Sequence, residues 1–173
     1  MRPLASGHDV EGPAARRRRP PLVAGLGSPH GDDQLGWAVV DRLRSRLPDG
    51  VPACKVSGGL DLLGRLEGHD EAIVVDASAP TGRPGTIRAF DWPCDDFAEG
   101  GSFSTHGLGL VAALRMAEAL GQLPRRVRIV AVEAQETTPG VGLSGIVADQ
   151  LDAAAEIVLE AVRRSLGGDD RDA

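Results

Sequence analysis

Residues 22 to 40, LVAGLGSPHGDDQLGWAVV, constrain the fold more than any other stretch. An apolar run ends in glycine, a short polar loop carries the adjacent carboxylates Asp32 and Asp33, and an apolar pattern of helical period follows at once. A buried strand that hands over directly to a helix is the first half of a strand–helix–strand unit, and the chain repeats it. Leu35, Val39, Leu43 and Leu47 recur at intervals of four until Pro48, Asp49 and Gly50 stop the helix. VPACKVSGG reads as the next strand, and LDLLGRLEGHD as a short helix with Leu60, Leu63 and Leu66 on one face. EAIVVDASAP predicts a strand ending at Asp76, and GTIRAFDW a strand with one solvated face. GSFSTHGLGLVAALRMAEAL predicts a helix with Ser104 or Thr105 as N-cap, ahead of Leu108, Val111, Leu114 and Met116. RRVRIVAVEA and VADQLDAAAEIVLEAVRRSL supply a further strand and a closing amphipathic helix. This alternation predicts an α/β three-layer sandwich: a mainly parallel twisted sheet of about five strands between helices.

A chain of 173 residues is one domain of ordinary size. Order is expected over residues 21–166, after a disordered basic leader at 1–20 and before a flexible acidic tail at 167–173. Residues 1 to 20 hold five arginines against Asp9 and Glu11, a local +3 that leaves −9 on the rest of a chain of net charge −6. An acidic body argues against a nucleic-acid partner, and an aromatic content of 3% offers little for base stacking. The run Arg16 to Arg19 reads as a solvated leader ahead of a nucleic-acid or membrane patch. Cys54 and Cys94 are isolated from each other, which suits a reducing cytoplasm. No apolar run of ~18 residues is present, so no membrane partner is expected. No stripe suggests an oligomer, so the expectation is a cytoplasmic monomer.

In a parallel sheet, the loops after the strands gather at the carboxyl edge, where ligands bind. Asp33 lies in the loop after the first strand, Asp76 closes AIVVD, and His106 opens a helix. If the two strands concerned are neighbours, the aspartates face each other across one cleft. Two carboxylates and an imidazole make an O,O,N set for a divalent transition metal. The same trio also serves as a general acid and base, with one aspartate activating water. Plainer readings stand beside these: Asp32 or Asp33 as a helix cap, Asp76 as a turn former, His106 as an exposed first-turn residue. His30 is a further candidate ligand, or a solvated loop histidine.

Five stretches in order give the chain a resemblance to a known family. They are GLGSPHGDDQLG, SGGLDLLGRL, IVVDA, STHGLGL and GVGLSGIVADQL. Over about residues 21 to 166 the chain resembles the hydrogenase maturation proteases. Their pattern is an apolar strand, G-x-G-N, a short loop, G-D-D-G-x-G, a Gly-Gly pair, a strand ending Asp-Ala, a Ser-x-His helix start and V-G-L-S. The resemblance implies an endopeptidase, aspartic-type by family classification, that trims the C-terminus of a nickel-iron hydrogenase large-subunit precursor. It implies Asp33 and Asp76 as catalytic, and Asp33, Asp76 and His106 as contacts for nickel that arrives inside the precursor. Gly25, Gly27, Ser28, Asp32 and Gly36 form the supporting loop, with Asp32 as helper or cap. Three departures accompany the match: Ser28 replaces the usual asparagine, Gln34 replaces the glycine after the acids, and the loop is one residue shorter. The alternatives are a non-cleaving binding module or chaperone for the large subunit, and another hydrolase or nucleoside-type enzyme on a similar sandwich.

Overall fold

The computed structural model describes residues 19–94 and 109–167. Residues 1–18 of the expected leader, residues 168–173 of the expected tail, the cap candidates Ser104 and Thr105, Leu108 and His106 lie outside the described residues. The strands are β1 (Leu22–Leu26), β2 (Ala53–Val56), β3 (Glu71–Ser78), β4 (Ile87–Trp92) and β5 (Arg126–Glu133). The helices are α1 (Leu35–Leu43), α2 (Gly59–Leu66), α3 (Leu110–Ala119), the one-turn α4 (Gly145–Ala148) and α5 (Leu151–Gly167). A single 3-10 turn, Gly31–Gln34, joins the loop after β1 to α1.

The five strands form one sheet in the order β2-β1-β3-β5-β4. β1, β2, β3 and β5 are parallel, and β4 runs antiparallel at the edge against β5. Alternate residues of the central strands feed two cores, as the two-residue period of a strand requires. Val23, Ile73, Val75 and Val130 face α1 and α5, whereas Leu22, Ala24, Val74 and Ile129 face α2 and α3. The result is the three-layer α/β sandwich expected from the alternation. Each fully buried Leu, Val or Ile contributes on the order of 1.5–3 kcal/mol, and both faces of the central strands are lined with them.

Three local expectations need correction. The helical pattern through Leu47 stops at Leu43, where the amides of Arg46 and Leu47 both turn back onto the Leu43 carbonyl. In α2 the buried face is Leu62 and Leu66, and Leu60 is 67% exposed. In α3 the buried residues are Leu110, Ala113, Leu114 and Ala117, which rotates Met116 outward. In both helices, the face that meets the neighbouring helix and the sheet sets the phase, and a run of leucines on several faces does not reveal it.

β1 and α1 meet at backbone contact. A Cβ on Gly36 would overlap the Leu26 carbonyl and come within 2.6 Å of the Val75 carbonyl. One on Gly25 would come within 2.8 Å of Val40 Cγ2. Gly64, in the exposed middle of α2, has nothing within 4 Å of its own Cβ position. Gly36→Ala is therefore expected to lose roughly 1–3 kcal/mol through overpacking. Gly64→Ala is expected to gain roughly 0.5–1 kcal/mol through helix propensity. Thermal unfolding of both variants checks the pair, and equal shifts would contradict the packing.

Candidate active site

β1 and β3 are neighbours, so the loop leaving β1 comes to lie over the end of β3. The buried charged side chains among the described residues are all acids: Asp32, Asp33, Asp76 and Glu133. All four stand at the carboxyl edge of the sheet, in or just after the ends of β1, β3 and β5. Burying carboxylates is costly unless each is hydrogen-bonded or paired, and these four are treated very differently.

Asp32 is fully satisfied. Its Oδ2 accepts from the amides of Gln135 (2.8 Å) and Glu136 (2.9 Å) and from the Ser144 hydroxyl (2.9 Å). Its Oδ1 accepts from the Ser144 amide at 2.6 Å. Neither Asp32 nor Asp33 makes a side-chain cap, at the 3-10 turn or at α1, so the capping reading of both residues is withdrawn. Asp32 is instead a helper that binds a distant loop. Glu133, which the sequence reading passed over, plays a similar part on the other side. It accepts from the Thr81 amide (2.6 Å), the Thr81 hydroxyl (2.7 Å) and the Arg83 amide (2.6 Å). Burial raises its pKa, but these bonds outweigh it and hold the group below the ordinary glutamate value. A charged residue ending an apolar strand was the available signal, the same one that singled out Asp76.

Asp76 is left without support. It is completely buried, and neither carboxylate oxygen has a hydrogen-bond partner among the described residues. Its pKa is pushed well above the ordinary aspartate value, first by burial and then by the nearby charge of Asp33. The Ala77 amide pulls weakly the other way from outside hydrogen-bonding geometry. β3 also continues through Ser78, so Asp76 is not the turn former that one reading made it. Asp33 is 4% exposed, on the 3-10 turn, close enough for its charge to act on Asp76. It lines a recess of about 10 Å³ together with Ala77, Ser78, Ala79, Pro80, Ala134 and Thr137, close to the smallest volume that admits one water.

Two of the three proposed metal contacts are thus brought together, and the third, His106, lies outside the described residues. Among the described residues no group of three His, Cys, Asp or Glu side chains is arranged around a metal position. His30 is engaged in an isolated antiparallel bridge with Pro139. The loop departures also find a place. Gln34 donates from Nε2 to the Gly31 carbonyl (3.1 Å) and the Val141 carbonyl (3.0 Å). The Ser28 amide donates to the Asp33 carbonyl at 3.3 Å, while the Ser28 hydroxyl is buried without a partner among the described residues. No helix of the described residues is long and apolar enough to cross a membrane.

The raised pKa of Asp76 has a signed consequence. The folded state holds its proton to higher pH than the unfolded chain does. This residue's contribution to stability is therefore greatest below the unfolded aspartate value and falls as pH rises towards the folded one. Asp76→Asn removes that dependence. The melting temperature of the variant relative to the parent is expected to climb between pH 4 and pH 7. A constant difference across that range would mean that Asp76 is not held protonated by its surroundings.

The chain matches the family model described as HycI, hydrogenase maturation protease, over residues 57–161. Hydrogenase 2 maturation protease of Escherichia coli (strain K12) is 30% identical over 138 residues, 78% of this chain and 84% of that protein. The structure of the hydrogenase maturating endopeptidase HybD from E. coli superimposes with a TM-score of 0.70 at 30% identity, covering 83% of this chain and 92% of that one. The hydrogenase 2 maturation peptidase of a Thaumarchaeota archaeon gives 0.62 at 31% identity, over 84% and 98%. The acid-lined sheet edge therefore stands on a chain that belongs to the hydrogenase maturation protease family.

Proposed function

We propose that this protein is an endopeptidase that removes the C-terminal extension of a nickel-iron hydrogenase large-subunit precursor after nickel insertion, and that it recognises the nickel itself. The observation that carries this reading is Asp76. A carboxylate with both oxygens buried and without a partner among the described residues, near a second carboxylate, is a pair of oxygen donors awaiting a cation. The hydrogen-bonding of Asp32 and Glu133 elsewhere at the same edge makes the bareness of Asp76 specific to that position.

On this reading the nickel belongs to the substrate and lies against Asp33, Asp76 and His106, fixing the scissile bond by coordination, a template role. Support for His106 is positional. It stands three residues before Gly109, the N-cap of α3. α3 leads by a short turn into the start of β5, so its N-terminal end lies toward the carboxyl edge. Asp33 acts as base. Its carboxylate takes a proton from a water that attacks the scissile carbonyl, and that proton passes to the departing amine. The recess beside Asp33 is the place for that water. A non-cleaving binding module would keep the same donors, and the shortened loop with Ser28 was its support. Gln34 ties this loop down with two hydrogen bonds, to the Gly31 and Val141 carbonyls, which supports the enzyme.

Intact mass of a cognate precursor, incubated with this protein with and without prior nickel loading, tests the proposal. Loss of one short C-terminal peptide is expected only from the nickel-loaded sample. Asp33→Asn is expected to slow the cut by at least about 100-fold while changing the melting temperature little, and His106→Ala to abolish it. Processing of the nickel-free precursor at the same rate would overturn nickel recognition. A stable complex with unchanged mass would leave a binding module.

A further inference from the structure

The loop from residue 135 to residue 144 is tied to the acid loop at several points. Asp32 accepts four hydrogen bonds from it, through Gln135, Glu136 and both the amide and hydroxyl of Ser144. The Asp32 amide donates back to the Glu136 carbonyl at 2.6 Å, and the Gly31 amide to the Val141 carbonyl at 2.9 Å. Gln34 adds a bond to the same Val141 carbonyl. The approach is so close that Gly31, at a φ of 51°, has no room for a side chain: a Cβ would come within 2.9 Å of the Thr137 Cα. The residue immediately after Asp32 is the one whose charge acts on Asp76.

From this arrangement we infer that Asp32 is a positioning residue for Asp33, and that the 135–144 loop is the brace through which it works. This rests on the endopeptidase reading above for its catalytic consequence, though not for its structural one. A loosely held loop would let the Asp33 carboxylate swing away from Asp76, since a side chain is positioned only as firmly as the backbone that carries it. The brace opposes that motion. Asp32 is bonded on both carboxylate oxygens to a segment more than 100 positions away, and Asp33 is held on its own backbone by the Ser28 amide and by donating its amide to the His30 carbonyl at 3.1 Å. The Asp32 carboxylate is taken up by the brace, which supplies all its hydrogen bonds among the described residues. Gln34, where the resembling family has glycine, is the second fastening and belongs to this chain's version of the site.

Three variants grade the brace: Gln34→Ala and Ser144→Ala each remove one fastening with little risk to folding, and Asp32→Asn opposes an amide to the donors of Ser144. Against the nickel-loaded precursor, kcat is expected to fall about tenfold for Ser144→Ala and about 100-fold for Asp32→Asn, with KM within about twofold. Ser144→Thr, which keeps the hydroxyl, is expected to recover most of the loss. An unchanged kcat in Asp32→Asn, or a loss in Ser144→Ala that Ser144→Thr does not recover, would overturn the inference. Amide hydrogen exchange provides a readout that needs no substrate. The amides of Ser28 and Asp33 are expected to exchange at least about tenfold faster in Asp32→Asn and in Gln34→Ala, along with those of the loop, while Val74 and Val130 keep the parent rates. If the loop loosens but Ser28 and Asp33 do not, the loop is only tethered to the site and the brace is refuted. If the parent protein leaves the precursor intact, the endopeptidase reading fails, and the exchange data still decide the brace.

Discussion

The site depends first on a contact between two stretches of bare backbone. Gly36 lets the first turn of α1 rest directly on the Leu26 and Val75 carbonyls, and Gly25 returns the favour from β1. Val75 is the residue before Asp76. One close approach therefore sets how far the loop between β1 and α1 stands from the end of β3, and hence how far Asp33 stands from Asp76. Any side chain at this contact would lift the helix from the sheet and open the gap between the two carboxylates. Packing and chemistry share the same few glycines.

Around that contact the protein divides four buried acids into two kinds. Asp32 and Glu133 are saturated with donors, and their charges are turned into fastenings for the loops that follow β5 and β3. Asp33 and Asp76 lie near each other, and among the described residues neither oxygen of Asp76 has a hydrogen-bond partner. A buried ionisable group left bare is a local destabilisation that the surrounding cores must offset, and sites of function are where folded proteins retain such strain. Here both cores run the full length of β3 and β5, immediately behind the strained residue.

The layered α/β architecture was legible because strand and helix periods alternate cleanly and glycine or acid marks each strand end. Asp33 and Asp76 were legible for a related reason: a charge placed where an apolar strand stops has little structural cause to be there. The direction of β4 was not legible, since residue alternation is the same in either direction and only pairing with β5 fixes it. Nor was the phase of α2, because leucines occur on more than one of its faces and tertiary packing chose Leu62 over Leu60. The role of Asp32 stayed open between cap and helper because its partners lie at Gln135, Glu136 and Ser144. Hydrogen bonds across such separations leave no local pattern. Ser144 was visible only as part of a quoted stretch, and Glu133 carried the same strand-end signal as Asp76 without being used.

The recess beside Asp33 has one more implication. At about 10 Å³ among the described residues it has room for a molecule the size of water and not for an amino-acid side chain. Proteases that choose substrates by sequence do so by swallowing a side chain next to the bond they cut, and this recess is too small for one. Under the proposed reading, discrimination shifts from the identity of residues to the condition of the precursor. A tail of unremarkable sequence becomes a substrate once its protein carries the metal, and the enzyme works as an inspector of completed assembly.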